Sequence, residues 1–266
     1  MGAFQPVLQL PGERNAADEW AIKQVFWLYE EIHNTMDTER SRQQKIGLSE
    51  YGAECRRCVA RKISLLYVKI NDPSWKAQIG TFGHAGLEDH FVRNFVSQQA
   101  VGAIPTNDRP LIHAEQHVDI MEYKQLVLGG SCDLFIQGAS FGLVGDWKFQ
   151  GKYSLDKSAK GKISRAYMVQ MHSYGFGWEL LGMPVTHVVL YALPRDGELW
   201  EAKPVLMRYD RQIVIDEMAS VQQMIDAADL IGWEKIIEYQ PRAAWCRDCD
   251  AYERQGRDDA FAWLNH

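Results

Sequence analysis

The sequence predicts a mixed α/β (α+β) fold, with one mixed core of strands and helices and helical additions at both ends. Three observations point there. Residues up to about 97 carry helix caps and apolar positions at helical spacing. Residues 112–149 switch to short apolar runs broken by turn formers, and the remainder reads helix, hairpin, helix. At 266 residues the chain can bury a sizeable core, as one domain with appendages or as two small ones.

Taken in order, Asn15 is an N-cap for a helix from about Ala16 to Thr38, with Trp20, Val25, Leu28 and Ile32 near one face. Ser49 and Glu50 open a second helix that carries Cys55, Cys58 and the basic residues Arg56, Arg57, Arg61 and Lys62. Asn71-Asp72-Pro73 starts a third, running to about Ser97, with Asp72 as cap and Pro73 at the first helical position. Glycines 80, 83 and 86 weaken that helix by propensity, so their presence predicts close packing or a nearby ligand. Strands are expected over about 112–121, 125–137 and 142–149, then a helix from about Ser158 to Leu181. A hairpin of 186–193 and 199–208 turns through Pro194-Arg-Asp-Gly197. Tyr209-Asp210 caps a long helix to about Leu230, and a short tail follows. The expected partition is 1–72, a helical region with the first cysteine pair; 73–209, the core; and 210–266, the last helix and tail. With no repeat or Pro/Gly/Ser-rich linker between them, one integrated domain is expected.

Hydrophobic residues make up 46% and charged residues 24%, which places the chain among globular proteins rather than disordered or membrane ones. No uninterrupted apolar run is long enough to span a bilayer, and the first residues, Met-Gly-Ala-Phe-Gln-Pro, lack the pattern of a signal peptide. The expectation is a cytoplasmic protein with no membrane partner. A net charge of −6 rules out a global basic field. Locally the balance reverses: Lys148, Lys152, Lys157, Lys160, Lys162 and Arg165 are opposed within that span only by Asp156. Alone, such a segment reads as a solvated face.

It directly follows the stretch from Gly130 to Lys148, the most informative in the chain. Leu134–Ile136 and Leu143–Val144 are joined by Gly138-Ala-Ser-Phe-Gly142, a hairpin pattern. One strand begins near Asp133 and the next ends in Asp146-Trp147-Lys148. Side chains alternate along a strand, so Asp146 and Lys148 share a face and Trp147 points the other way. Two carboxylates and a lysine are costly to bury without a counter-ion. A divalent cation with phosphate chemistry beside it removes that cost.

The five cysteines are patterned as well. Cys55 and Cys58 form one Cys-x-x-Cys unit, Cys246 and Cys249 another, and Cys132 stands alone as a small apolar residue beside the hairpin. In a cytosolic chain such pairs read as metal ligands or redox centres rather than disulfides. Two units supply four thiolates, suited to an iron–sulfur cluster or to structural zinc.

Four pieces in order carry a resemblance: Gly80-Thr-Phe-Gly-His84-Ala-Gly-Leu-Glu88, Ser131-Cys-Asp133, Gly145-Asp146-Trp-Lys148 and Gln170-Met-His-Ser-Tyr174. Together they resemble the RecB-like branch of the PD-(D/E)xK nuclease superfamily. The flanking cysteine pairs are similar to those of its iron–sulfur members, which include the CRISPR-associated RecB-like exonucleases, the AddB nuclease domain and phage relatives. The resemblance covers about Cys55 to Cys249 and implies a restriction-endonuclease-like core, a central mixed sheet flanked by helices, closed by a cysteine metal clasp. It implies that His84, Asp133, Asp146 and the carbonyl of Trp147 bind one or two magnesium or manganese ions, with Lys148 acting on the attacking water and the phosphate. It further implies that Gln170 and Tyr174 contact DNA or support the site, with Lys152 nearby and Glu88 as a partner of His84 or a water-mediated ligand. The four paired cysteines would hold a cluster, most simply 4Fe–4S, with structural zinc as the alternative because no cysteine follows Cys249.

The activity so implied is metal-dependent exonuclease cleavage of single-stranded or end-containing DNA, in recombination, repair or CRISPR adaptation. A helicase, integrase or recombinase is the implied partner. The alternatives are a DNA-binding or scaffolding subunit of such a complex and a structure-dependent endonuclease. Each residue also has a plainer reading. A lone His84 would be a core histidine, but its place ahead of two metal-type carboxylates reverses that. Gln170 and Tyr174 in isolation would be a polar turn and a packing aromatic. His113 and His117, on one side of a strand, read as surface or core histidines rather than zinc ligands.

Overall fold

The computed structural model of the chain describes residues 5–33, 46–64, 75–124 and 126–250. Strand β1 (Val7–Gln9) precedes helices α1 (Ala16–His33), α2 (Leu48–Tyr51), α3 (Arg56–Ile63) and α4 (Trp75–Asn94). Strands β2 (Leu111–Tyr123), β3 (Leu126–Gln137) and β4 (Gly142–Gln150) follow, then α5 (Lys152–Ser158) and α6 (Arg165–Leu180). The hairpin of β5 (His187–Pro194) and β6 (Lys203–Arg208) leads into α7 (Arg211–Ile231) and α8 (Trp233–Tyr239).

All six strands form one mixed sheet in the order β1-β6-β5-β4-β3-β2. β2, β3 and β4 are an antiparallel meander, β4 and β5 are parallel, β5 and β6 antiparallel, and β1 lies parallel to β6. A parallel neighbour needs a long crossover, and α5 and α6 supply it between β4 and β5. Alternation along the strands divides the core between two faces. Phe135, Val144, Val188, Leu190 and Val205 pack with Val169, Met171 and Trp178 of α6 and Val214 and Val221 of α7. Leu134, Ile136, Leu143, Trp147, Val189 and Tyr191 pack with Val25 and Leu28 of α1 and Leu87 and Phe91 of α4. Aromatic pairs pin both faces: Phe135 stacks on Trp178 with ring centroids 4.5 Å apart, and Phe91 on Trp147 at 5.8 Å.

Asn15 caps α1 as predicted, its side-chain oxygen accepting the Asp18 N–H at 3.0 Å while Asp18 accepts the Asn15 N–H at 2.9 Å. The predicted end of that helix at Thr38 and the start of the third at Asp72 lie outside the described residues. Four expectations change. The second helix is two pieces, because Cys55 becomes the N-cap of α3 and the Arg56 guanidinium returns to the Tyr51 carbonyl at the end of α2. The helix expected from Ser158 starts later, at Arg165, because Ser158 instead ends the separate α5. Gly161 adopts a left-handed φ of 68°, which a glycine takes without strain, and Ser164 then caps α6 by accepting the Tyr167 N–H. The strand expected from Leu199 starts at Lys203, since 199–201 form a helical turn closed by the reciprocal Glu198 and Glu201 box. β1, α5 and α8 are additions the sequence did not announce. β1 is three residues whose strand partner among the described residues is β6, and a segment that short has no readable period.

Candidate active site and cysteine cluster

The paired part of β3 and β4 runs from Gln137 opposite Gly142 to Leu134 opposite Gly145 and ends there. The strands then part, and Asp133 and Asp146 are the first residues beyond the last pair. A carboxylate takes over from the backbone ladder: the Trp147 N–H donates to Asp133 Oδ2 at 2.8 Å. Past this point β4 keeps its parallel partner, with Asp146 opposite Leu190 and Lys148 opposite Ala192. Alternation puts Asp146 and Lys148 on the α6 face, where Lys148 Nζ lies 2.7 Å from Asp146 Oδ2. The Trp147 ring points the other way, onto Phe91. The ammonium also stands over the ring of Tyr167, 5.3 Å from its centre.

His84 reaches the same place from α4, its Nδ1 3.4 Å from Asp133 Oδ1. The helix can come this close because residue 83 is glycine: a Cβ there would overlap the Phe149 ring. Gly83 is therefore one close approach of the kind the glycine spacing predicted, whereas a Cβ at Gly80 would meet nothing within 4 Å. A further carboxylate, Glu115 of β2, was not foreseen. Its neighbours Ala114 and Gln116 pair with Leu134 and Cys132, which sets Glu115 opposite Asp133. Its φ is +50°, a left-handed conformation that costs a residue with a Cβ on the order of 1–3 kcal/mol. His84, Glu115 and Asp133 each bring one ligand atom within 4.8 Å of the others. The available signal was a carboxylate between His113 and His117, on the strand paired to that of Asp133. Only the register between the two strands turns that signal into a position.

Among the described residues the site is short of hydrogen-bond partners. His84 Nδ1, both carboxylate oxygens of Asp146 and Gln170 Oε1 are buried without one. Lys148 meets Asp146 as a charge contact, outside hydrogen-bond geometry. Burial opposes the ionised form of Asp133, but the adjacent His84 charge, Lys148 and the Trp147 N–H outweigh it and hold its pKa below the usual value. Burial also opposes the charged forms of His84 and Lys148; Asp133 overcomes it at His84, and Asp146 with Asp133 at Lys148, so both stay cationic to higher pH. At Asp146 burial prevails over Lys148, with Asp133 adding repulsion, and the pKa is pushed up to about 6. Carboxylate oxygens with an imidazole nitrogen are the donor set of magnesium or manganese, and a divalent cation would meet the unpartnered atoms at once.

Gln170 and Tyr174 lie one turn apart on α6, both buried, with Gln170 Nε2 donating to the Tyr174 hydroxyl at 3.2 Å. Burial, then the charges of Asp133 and Asp146, push the Tyr174 pKa well up. Both residues are thus buried rather than lining an open surface. Glu88 is half-buried one turn beyond His84, outside the group formed by His84, Glu115 and Asp133. Lys152 opens α5 and is exposed, as are Lys157, Lys160, Lys162 and Arg165. His113 meets Gln137 and the Trp178 ring, and His117 is exposed beside Asp119, in keeping with packing and surface roles.

The two cysteine pairs meet. Cys58 Sγ lies 3.3 Å from Cys246 Sγ and 3.5 Å from Cys249 Sγ, and Cys55 Sγ 3.6 Å from Cys249 Sγ. This group can hold a metal ion. Burial raises the Cys55 thiol, but hydrogen bonds at the Ala243 and Cys58 backbones outweigh it and bring the pKa down to about 7. Cys132 stays apart and buried, its thiol donating to the Leu134 carbonyl.

No protein-family profile and no curated protein matches this sequence. Among solved structures, the alkaline exonuclease LHK-Exo of Laribacter hongkongensis is similar at a TM-score of 0.43 and 14% identity, over 84% of this chain and 95% of its own. The same protein in complex with dAMP gives 0.43 and 13%, over 81% and 95%. The structure of SSO0001 gives 0.43 and 15%, over 77% and 86%. Similarity at this level assigns no activity.

Proposed function

We propose that this protein is a metal-dependent DNA exonuclease acting on single-stranded or end-containing DNA, in recombination, repair or CRISPR adaptation. The observation that carries the reading is the buried meeting of His84, Asp133, Asp146 and Lys148, with His84 Nδ1 and both Asp146 oxygens lacking hydrogen-bond partners. His84, Glu115, Asp133 and Asp146, with the Trp147 carbonyl, would hold one or two magnesium or manganese ions. Such an ion supplies an activated water and neutralises charge on the phosphate. Lys148, held cationic by Asp146 and Asp133, donates to a phosphate oxygen and orients the attacking water rather than acting as a base. Gln170 and Tyr174, hydrogen-bonded to each other on α6, would support the site or the bound DNA. The exposed row Lys152, Lys157, Lys160, Lys162 and Arg165 follows directly on the site in the chain and suits a phosphate backbone. In the cell a helicase, integrase or recombinase would deliver the DNA end.

Linear and circular single-stranded DNA of one sequence, incubated with the protein and manganese, separate the readings. An exonuclease shortens the linear form and spares the circle. Cutting of the circle would make it an endonuclease, and no cutting of either would leave a DNA-binding subunit.

A further inference from the structure

The cysteine cluster fits one ion better than the iron–sulfur cluster the family resemblance implies. Three of the sulfur pairs stand 3.3, 3.5 and 3.6 Å apart, and all four sulfurs lie within 4.8 Å of one another. Four thiolates around one tetrahedral zinc, each with a bond of about 2.3 Å, stand about 3.8 Å apart. In a 4Fe–4S cluster each cysteine binds a different iron. Neighbouring cysteine sulfurs are then separated by an iron–iron edge plus the outward reach of two bonds, well beyond the spread found here. To admit that cluster, α3 and the 246–250 segment would have to move apart.

Two further features favour a closed, anionic centre. The buried guanidinium of Arg61 donates to Cys249 Sγ at 3.4 Å, setting a positive charge against a sulfur. Four thiolates on one divalent ion keep a net negative charge, which that cation offsets. The two ligand-bearing segments are also fastened to each other beside the sulfurs. The Arg57 N–H donates to the Pro241 carbonyl, and its guanidinium to the carbonyls of Glu238 and Gln240. Backbone bonds on this scale set the ligands in place for a small ion.

We propose that Cys55, Cys58, Cys246 and Cys249 bind a single structural zinc ion, four-coordinate and closed to solvent ligands, which clasps α3 to the segment after α8. The site then takes no part in redox chemistry. It stabilises by closing a loop that spans most of the chain.

The test is metal analysis of the full chain, expressed with both iron and zinc in the medium and purified without oxygen. His84→Ala is analysed in parallel, so that zinc at the candidate active site is not counted. The expected result is about one zinc per chain in both proteins and no visible absorbance. Replacement by cobalt(II) should give the visible bands of a tetrahedral thiolate complex. Cys58→Ser should lose the zinc. Should that variant fail to fold, a mercurial reagent added to the native protein should release the ion to a zinc-sensing dye. Iron with inorganic sulfide and a brown colour, iron alone, or a metal-free protein would each overturn the assignment. Nuclease activity is not the readout, so failure here leaves the proposed activity to its own test.

Discussion

Glu115 and His172 show what single side chains contribute. Glu115 sits in a left-handed backbone conformation opposite Asp133, with a ligand atom close to His84 and Asp133. Glu115→Gln keeps the shape and removes the charge, so manganese affinity measured by calorimetry should fall roughly 10-fold or more. Unchanged affinity would remove Glu115 from the cation site. His172 is neutral by design of its surroundings: burial lowers its pKa to about 4, and Nδ1 accepts the Asp210 N–H at 3.0 Å. Below its ordinary value of 6.5 the unfolded chain takes up a proton that the native state refuses. Stability should therefore fall as pH drops from 6.5 toward 4, by up to about 3 kcal/mol from this group. Urea unfolding across that range checks it. His172→Asn, which keeps an acceptor but cannot titrate, should flatten the slope relative to the native chain. An equal slope in both would show that other groups govern it.

At the scale of elements, what could be read from sequence was what is local. The Gly138–Gly142 turn fixes the β3–β4 hairpin, and period-two alternation places Asp146 and Lys148 on one face with Trp147 on the other. Residues 84, 133, 146 and 148 come together, His84 against Asp133 and Lys148 against Asp146. Part of what escaped depends on partners distant in sequence. Glu115 needs the β2–β3 register and β1 needs the edge of β6, while the breaks before α3 and α6 sit at local caps, Cys55 and Ser164, that the apolar pattern does not mark. Gly83 lies between these cases: its oddity in a helix was legible, and its reason, the Phe149 ring, was not. Gly83→Ala should push α4 off the sheet. The expected loss is roughly 1–3 kcal/mol of stability, read by chemical denaturation, together with weaker manganese binding as His84 retreats from Asp133. Neither change would mean that α4 does not need this approach.

Across the whole molecule, the sheet is held from both ends of the chain. Asp18 of α1 accepts from His187 Nε2 of β5 at 2.8 Å and from Arg208 Nε of β6 at 3.0 Å, tying the first helix to the far strands. Arg208, before all its other partners, keeps the Asp18 carboxyl well below the usual carboxylate range. The cysteine cluster does the same for α3 and the segment after α8. Between these ties β3 and β4 part beyond Leu134 and Gly145, and the carboxylates occupy the opening. The most direct measurement is a time course of nucleotide release from end-labelled linear single-stranded DNA, with manganese, with magnesium and with chelator. The native protein should release nucleotides with either metal and none with chelator. Asp146→Asn and Lys148→Ala, folded by circular dichroism, should be slower by roughly 100-fold or more. Release that survives chelation, or near-native release by either variant, would contradict metal-dependent cleavage at this site.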